Sequence, residues 1–279
     1  MNINVKISIN NFINKTYTNK DNVVFPTVPN NHKKLVSEFL MKFYKAFEPL
    51  FSNKHQAEQI FISALEKVRF VRLDDKDKNI HPLKGVYDEM QKTCQGRHLD
   101  GGITYLGDDF VAVVDMDYNL LSDEEAMQTL VHEFVHVMTI RENNFNGTKK
   151  LVIGVQTPIQ KNEIFTALNE GLTEIITKQI YKTMYKKPVK HTNRYGFYQT
   201  SVNHLLSIFA DKNALIEDYL IDADLFNNCL KRQENDKNEN VFDYINSLKI
   251  DEIKTDPEIL KKLQSFKYEK QDNFTIQSF

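Results

Sequence analysis

Two stretches of helix-period sequence constrain this chain more than any other feature. Each sets imidazole or carboxylate side chains opposite an apolar stripe. From Ser122 onward, Met127, Leu130, Val131, Phe134, Val135 and Met138 recur at the i, i+3, i+4, i+7, i+8, i+11 spacing of one helix face. Ser122 with Glu125 three positions later has the form of a capping box, and Asp123 and Glu124 suit the positive end of a helix. The pattern predicts a helix running to about Arg141. At about 100° per residue, His132, Glu133 and His136 fall on the side away from the stripe, toward solvent or a cleft. A second stripe, Ile164, Phe165, Leu168, Leu172, Ile175 and Ile176, predicts a long helix from about Asn162 to Tyr185. Glu170 and Glu174 stand one turn apart on its polar side.

The residue types make these faces chemical. His132-Glu133-Phe134-Val135-His136 is an H-E-x-x-H sequence. On a helix, positions i and i+4 share a face, so both imidazoles reach one ion. Zinc suits such ligands at a tetrahedral site with one open position. Two histidines leave a catalytic zinc one protein ligand short, and His₂Glu is a standard set, which makes Glu170 the expected third ligand. Glu174, one turn later, is placed to accept the free ring N–H of a ligating histidine and fix its tautomer. Glu133 lies next to His132, where it can reach water at the metal. Chance alone gives the H-E-x-x-H triplet in roughly one or two of every hundred chains of this length. The second helix therefore carries much of the weight.

Taken together, Thr129-Leu-Val-His-Glu-Phe-Val-His-Val-Met-Thr139 and Leu168-Asn-Glu-Gly-Leu-Thr-Glu174 resemble the gluzincin metallopeptidases, the thermolysin-like group. The likeness spans roughly residues 103–209 and leaves out the first hundred residues and the last seventy. The gap of 34 positions from His136 to Glu170 is longer than in thermolysin itself, which argues against a close subfamily assignment. The resemblance implies an α+β, zincin-like core with an upstream β-hairpin or sheet and a helix-rich C-terminal half. It implies one zinc per chain held by His132, His136 and Glu170, with Glu174 as the acidic partner of a zinc histidine. It also implies peptide-bond hydrolysis, with Glu133 taking a proton from water and passing it to the leaving amine. Gluzincins often bring a tyrosine or histidine from downstream to the oxyanion. Here His191, Tyr195, Tyr198 and His204 are the candidates, and Tyr198 is preferred because Val202, Leu205 and Leu206 lie behind it on a predicted helix over 198–209. The substrate is expected to lie antiparallel to a strand at Phe110–Met116. Two other readings remain open: a non-catalytic, zinc-stabilised binding or regulatory protein, and a metallopeptidase-type toxin or effector.

The rest of the chain bounds these readings. A formal net charge of −2 gives no basic field for nucleic acid, so the expected partner is a peptide or protein. No window approaches a membrane span, and Met1–Ile9 lacks the n-region and h-region of a signal peptide, so a cytoplasmic protein is expected. Cys94 and Cys229 exclude a disulfide framework and a cysteine zinc finger. Two regions are expected: an N-terminal helical or mixed region over 1–100 and the catalytic region over 101–279. Residues 1–31 read as an irregular or short-stranded lead-in. Helices are predicted at 33–51 and 54–67, and a strand at 68–73. Ile103 to Asp117 reads as a hairpin turning at Gly107-Asp108-Asp109. Residues 143–150 read as a turn around Asn146-Gly147, with a short strand at 151–156. Further helices are predicted at 214–220, 240–248 and after Asp256-Pro257. The charged run 231–239 reads as a solvated loop.

Overall fold

The computed structural model describes residues 2–17, 32–72, 102–106, 111–115, 124–145, 147–155, 163–188, 202–203, 206, 211–232, 239–247 and 261–262. Their elements are mostly helical, with two small sheets, an α+β composition. The chain divides into two compact units, Met1–Gly154 with Thr173–Thr192, and Val155–Leu172 with Asn193–Phe279.

The first unit opens with helix α1 (Ile3–Tyr17), where the sequence suggested an irregular or short-stranded lead-in. Ile3, Val5, Ile7 and Ile9 alternate like a strand, yet the buried side chains are Val5, Ile9 and Phe12, at helical spacing. Ile3 and Ile7 are left exposed. Asn2 and Asn4 tie the start of α1 to buried Glu58, donating from their Nδ2 atoms at 2.6 and 3.0 Å. Helix α2 (His32–Phe47) passes into a 3₁₀ turn (Glu48–Leu50) at Pro49, whose ring and missing N–H end an α-helix. Helix α3 (Lys54–Lys67) begins at Asn53, whose side chain accepts from the His55 N–H. It leads directly into β1 (Val68–Arg72).

The hairpin predicted upstream of the H-E-x-x-H sequence is present as β2 (Gly102–Leu106) and β3 (Val111–Asp115), antiparallel with Leu106 opposite Val111. Its sheet has the order β1-β3-β2, and β1 runs parallel to β3. This corrects one expectation. β3 is central, with a neighbour on each edge, so its backbone groups are already paired and no substrate strand can add to it. The parallel partner was hidden because β1 and β3 are far apart in sequence. The predicted turn at 107–109 lies outside the described residues.

Helix α4 (Glu124–Met138) carries the H-E-x-x-H residues. It stops three residues earlier than its periodicity suggested. Thr139 turns the chain, its hydroxyl donating to the His136 carbonyl at 2.7 Å. Ile140 then starts β4 (Ile140–Phe145), which pairs with β5 (Thr148–Ile153). The β-branched pair Thr139-Ile140 favours leaving the helix for a strand. The predicted turn narrows, with Phe145 opposite Thr148, and Gly147 has φ 82°, a conformation that suits glycine. The core beneath α4 is aromatic. Phe134 is fully buried and meets Phe39 edge-on at 5.0 Å and Phe43 at 5.7 Å, so the N-terminal helices pack on the motif helix.

Helix α5 (Glu163–Tyr185) is one continuous helix, and the division between the units passes through it at Leu172 and Thr173. The second unit contains α6 (Lys212–Ile221), α7 (Ala223–Lys231) and α8 (Val241–Ser247). Helix α7 was not foreseen. Asp222 caps it by accepting from the Asp224 N–H at 2.6 Å, and Phe226, Cys229 and Leu230 form its buried face. Of the charged run 231–239, predicted as a loop, Lys231 ends α7 and residues 233–238 lie outside the described residues. So do the predicted helices at 198–209 and after Asp256-Pro257, except for helical Val202, Asn203, Leu206, Lys261 and Lys262.

Candidate metal centre

Helix α4 is buried on every side from Leu130 to Thr139, so His132, Glu133 and His136 are enclosed by protein and do not face bulk solvent. Buried polar groups need partners, and α5 supplies them. His132 Nδ1 lies 3.1 Å from Glu174 Oε2, and His136 Nδ1 lies 3.3 Å from Thr173 Oγ1. Since a carboxylate accepts, His132 Nδ1 donates to it, and in a neutral ring the lone pair then sits on Nε2. With both Nδ1 atoms turned toward α5, the two Nε2 atoms point at each other, 3.2 Å apart.

That separation has a direct chemical reading. Two nitrogens bound to one tetrahedral zinc, each at about 2.0–2.1 Å, stand about 3.3 Å apart. Glu170 completes a group in which one ligand atom from each of His132, His136 and Glu170 lies within 4.8 Å of the others. Glu170 is fixed relative to Thr173 and Glu174 by helix geometry alone, since all three share one face of α5. It is partly exposed, whereas both histidines are buried. Two imidazoles and a carboxylate, with the histidines oriented through their second nitrogens, form a donor set that could hold a metal ion.

Glu133 is buried on α4 and is not one of the three. Tyr198, with its alternatives His191, Tyr195 and His204, lies outside the described residues. Two participants were assigned no role by the sequence reading. Thr173 fixes His136, and its signal was its place three residues after Glu170. Asn169 is almost wholly buried, and its Oδ1 accepts from Tyr219 Oη at 2.8 Å and from the Val155 N–H at 3.4 Å. It anchors the turn of α5 that carries Glu170 to α6. Nothing local in the sequence pointed to Tyr219, fifty residues away.

Compared with known proteins, the chain matches no family model, no curated protein and no solved structure. Among the described residues no helix is long and apolar enough to cross a membrane.

Proposed function

We propose that the chain is a zinc-dependent metallopeptidase of gluzincin type, with a zincin-like core built around α4 and α5. The observation that carries this reading is the pair of facing Nε2 atoms, 3.2 Å apart, with the Glu170 carboxylate beside them. His132, His136 and Glu170 would hold one zinc ion, with Glu174 and Thr173 orienting the two rings. Zinc at this site supplies Lewis acidity, which polarises a peptide carbonyl and makes water acidic enough to attack near neutral pH. Glu133 takes the proton of the attacking water and returns it to the leaving amine. Tyr198 donates a hydrogen bond to the developing oxyanion. Because β3 is paired on both edges, a substrate backbone is assigned to the outer edge of β2, which pairs only with β3 among the described residues.

The test is metal content by elemental analysis, followed by peptide-library cleavage. About one zinc per wild-type chain is expected, with the Glu170→Ala chain holding much less. A folded wild-type chain that stays metal-free in added zinc would refute the reading. Stoichiometric zinc without cleavage of any peptide would leave the non-catalytic binding protein in its place.

A further inference from the structure

The contacts that hold the two histidines belong to a longer polar seam between α4 and α5. At one end His136 meets Thr173, and next His132 meets Glu174. Two turns further on, Tyr181 Oη donates to Glu124 Oε1 at 3.3 Å. Positions on α5 rise as those on α4 fall, so the helices are antiparallel. Midway between the second and last contacts, the register places Gln128 of α4 opposite Thr177 of α5. Gln128 is four residues from both Glu124 and His132. Thr177 lies three residues after Glu174 and four before Tyr181. Both side chains are more than nine-tenths buried, at 6% and 2% exposure. Gln128 Nε2 and Thr177 Oγ1 have no hydrogen-bonding partner among the described residues.

We propose that Gln128 and Thr177 together bind one internal water molecule, which forms the missing rung of the α4–α5 seam. Burying an amide N–H or a hydroxyl without a partner costs about 1–3 kcal/mol, so two such groups on facing helices at one level make a polar site. The ligand must both accept and donate, since the amide nitrogen only donates and the hydroxyl does either. It must also be small and neutral, since neither side chain carries a charge. Water meets these conditions, and internal waters commonly bridge two to four such groups. Bound there, it ties α4 to α5 on the side of His132–Glu174 away from His136–Thr173. The helix register is then held on both flanks of that contact. The inference does not depend on a metal being bound.

The sign of a near-isosteric substitution tests it. If the hydroxyl of Thr177 were merely orphaned, Thr177→Val would remove an unsatisfied group and leave stability unchanged or higher. If it holds water, Thr177→Val removes a hydrogen bond and strands Gln128. The unfolding equilibrium constant from denaturant titration should then rise about 5-fold to 150-fold. Gln128→Met should act in the same direction, and the double variant should cost clearly less than the product of the two single effects. A crystal structure should show one water between the two side chains. A stabilising Thr177→Val, strictly multiplicative effects, or a direct Gln128–Thr177 hydrogen bond in the crystal would each overturn the proposal.

Discussion

Two helix pairs in this molecule bury reactive side chains, and they treat them in opposite ways. Between α4 and α5, His132 and His136 are each held through Nδ1, and their Nε2 atoms converge. Between α6 and α7, Cys229 is also buried, but its sulfur is fully engaged. The thiol donates to Asp218 Oδ2 at 3.0 Å and accepts from Arg232 Nη2 at 3.0 Å. Burial, reinforced by the Asp218 contact, pushes the Cys229 thiol up to about 12, while Arg232 opposes the shift. Burial also raises the Asp218 carboxyl. The thiolate is the nucleophile and the metal ligand, so this cysteine is inert near neutral pH. Burial by itself does not mark a site. What separates the two clusters is whether the orienting contacts leave lone pairs converging on one point or use them up.

The largest effect should come from Glu133, the buried residue next to His132 in the chain. Glu133→Gln removes a proton acceptor and leaves the three ligands intact. Peptidase turnover should fall by about 10²–10⁴-fold with zinc content unchanged, as read by steady-state kinetics and elemental analysis. A variant that kept its rate would sink the mechanism, because Glu133 would then not be the group that takes the proton from water. Glu174→Gln keeps shape but weakens the grip on His132 Nδ1. Competition with a zinc chelator should report about 10- to 100-fold weaker binding. Unchanged affinity would mean that the converging geometry does not need its outer partner.

The cysteine cluster should respond more gently. In the native protein, Cys229 should resist a thiol reagent at pH 8 and react once the chain is unfolded. Asp218→Asn removes a contact that raises the thiol, so it should lower the thiol pKa and speed native labelling. Equal labelling of both proteins would show that desolvation alone protects the sulfur.

The smallest effect is in the pH dependence of stability. A thiol raised in the folded state favours the protonated form. Its contribution is therefore complete below the unfolded thiol range, about 8.5, and is lost as pH rises through about 12. Tyr44 and Tyr185, also pushed up to about 12 chiefly by burial, add a loss of the same sign beginning near pH 10. Cys229→Ala should therefore remove the earlier part of the alkaline decline in denaturant midpoint and keep the later part. An unchanged profile would remove the thiol from the account.

Legibility differed along the chain for physical reasons. Helices α3 and α5 were readable because each keeps one apolar stripe from end to end. The α4 stripe was readable too, but its end was set by Thr139 and by the β4–β5 pairing, which no periodicity records. Helix α1 was misread because its apolar residues fit both a period of two and a period near four. Only packing chose which of them to bury. That His132 and His136 share a helix face was anticipated from i, i+4 spacing, a local rule, whereas Glu170 was expected beside them only because a two-histidine site needs a third ligand. The parts played by Thr173, Asn169 and Tyr219 were not anticipated, because each depends on which residue lies opposite.

By itself the sequence determined which residues share a helix face, and so which imidazoles and carboxylates travel together. That follows from the 3.6-residue turn, a property of the backbone alone. Tertiary structure decided three things. It enclosed the polar face of α4, set the ring orientation of each histidine through its α5 partner, and placed β3 between β1 and β2. Each depends on contacts between residues far apart in the chain, whose burial and hydrogen-bond energies exist only once the elements have packed.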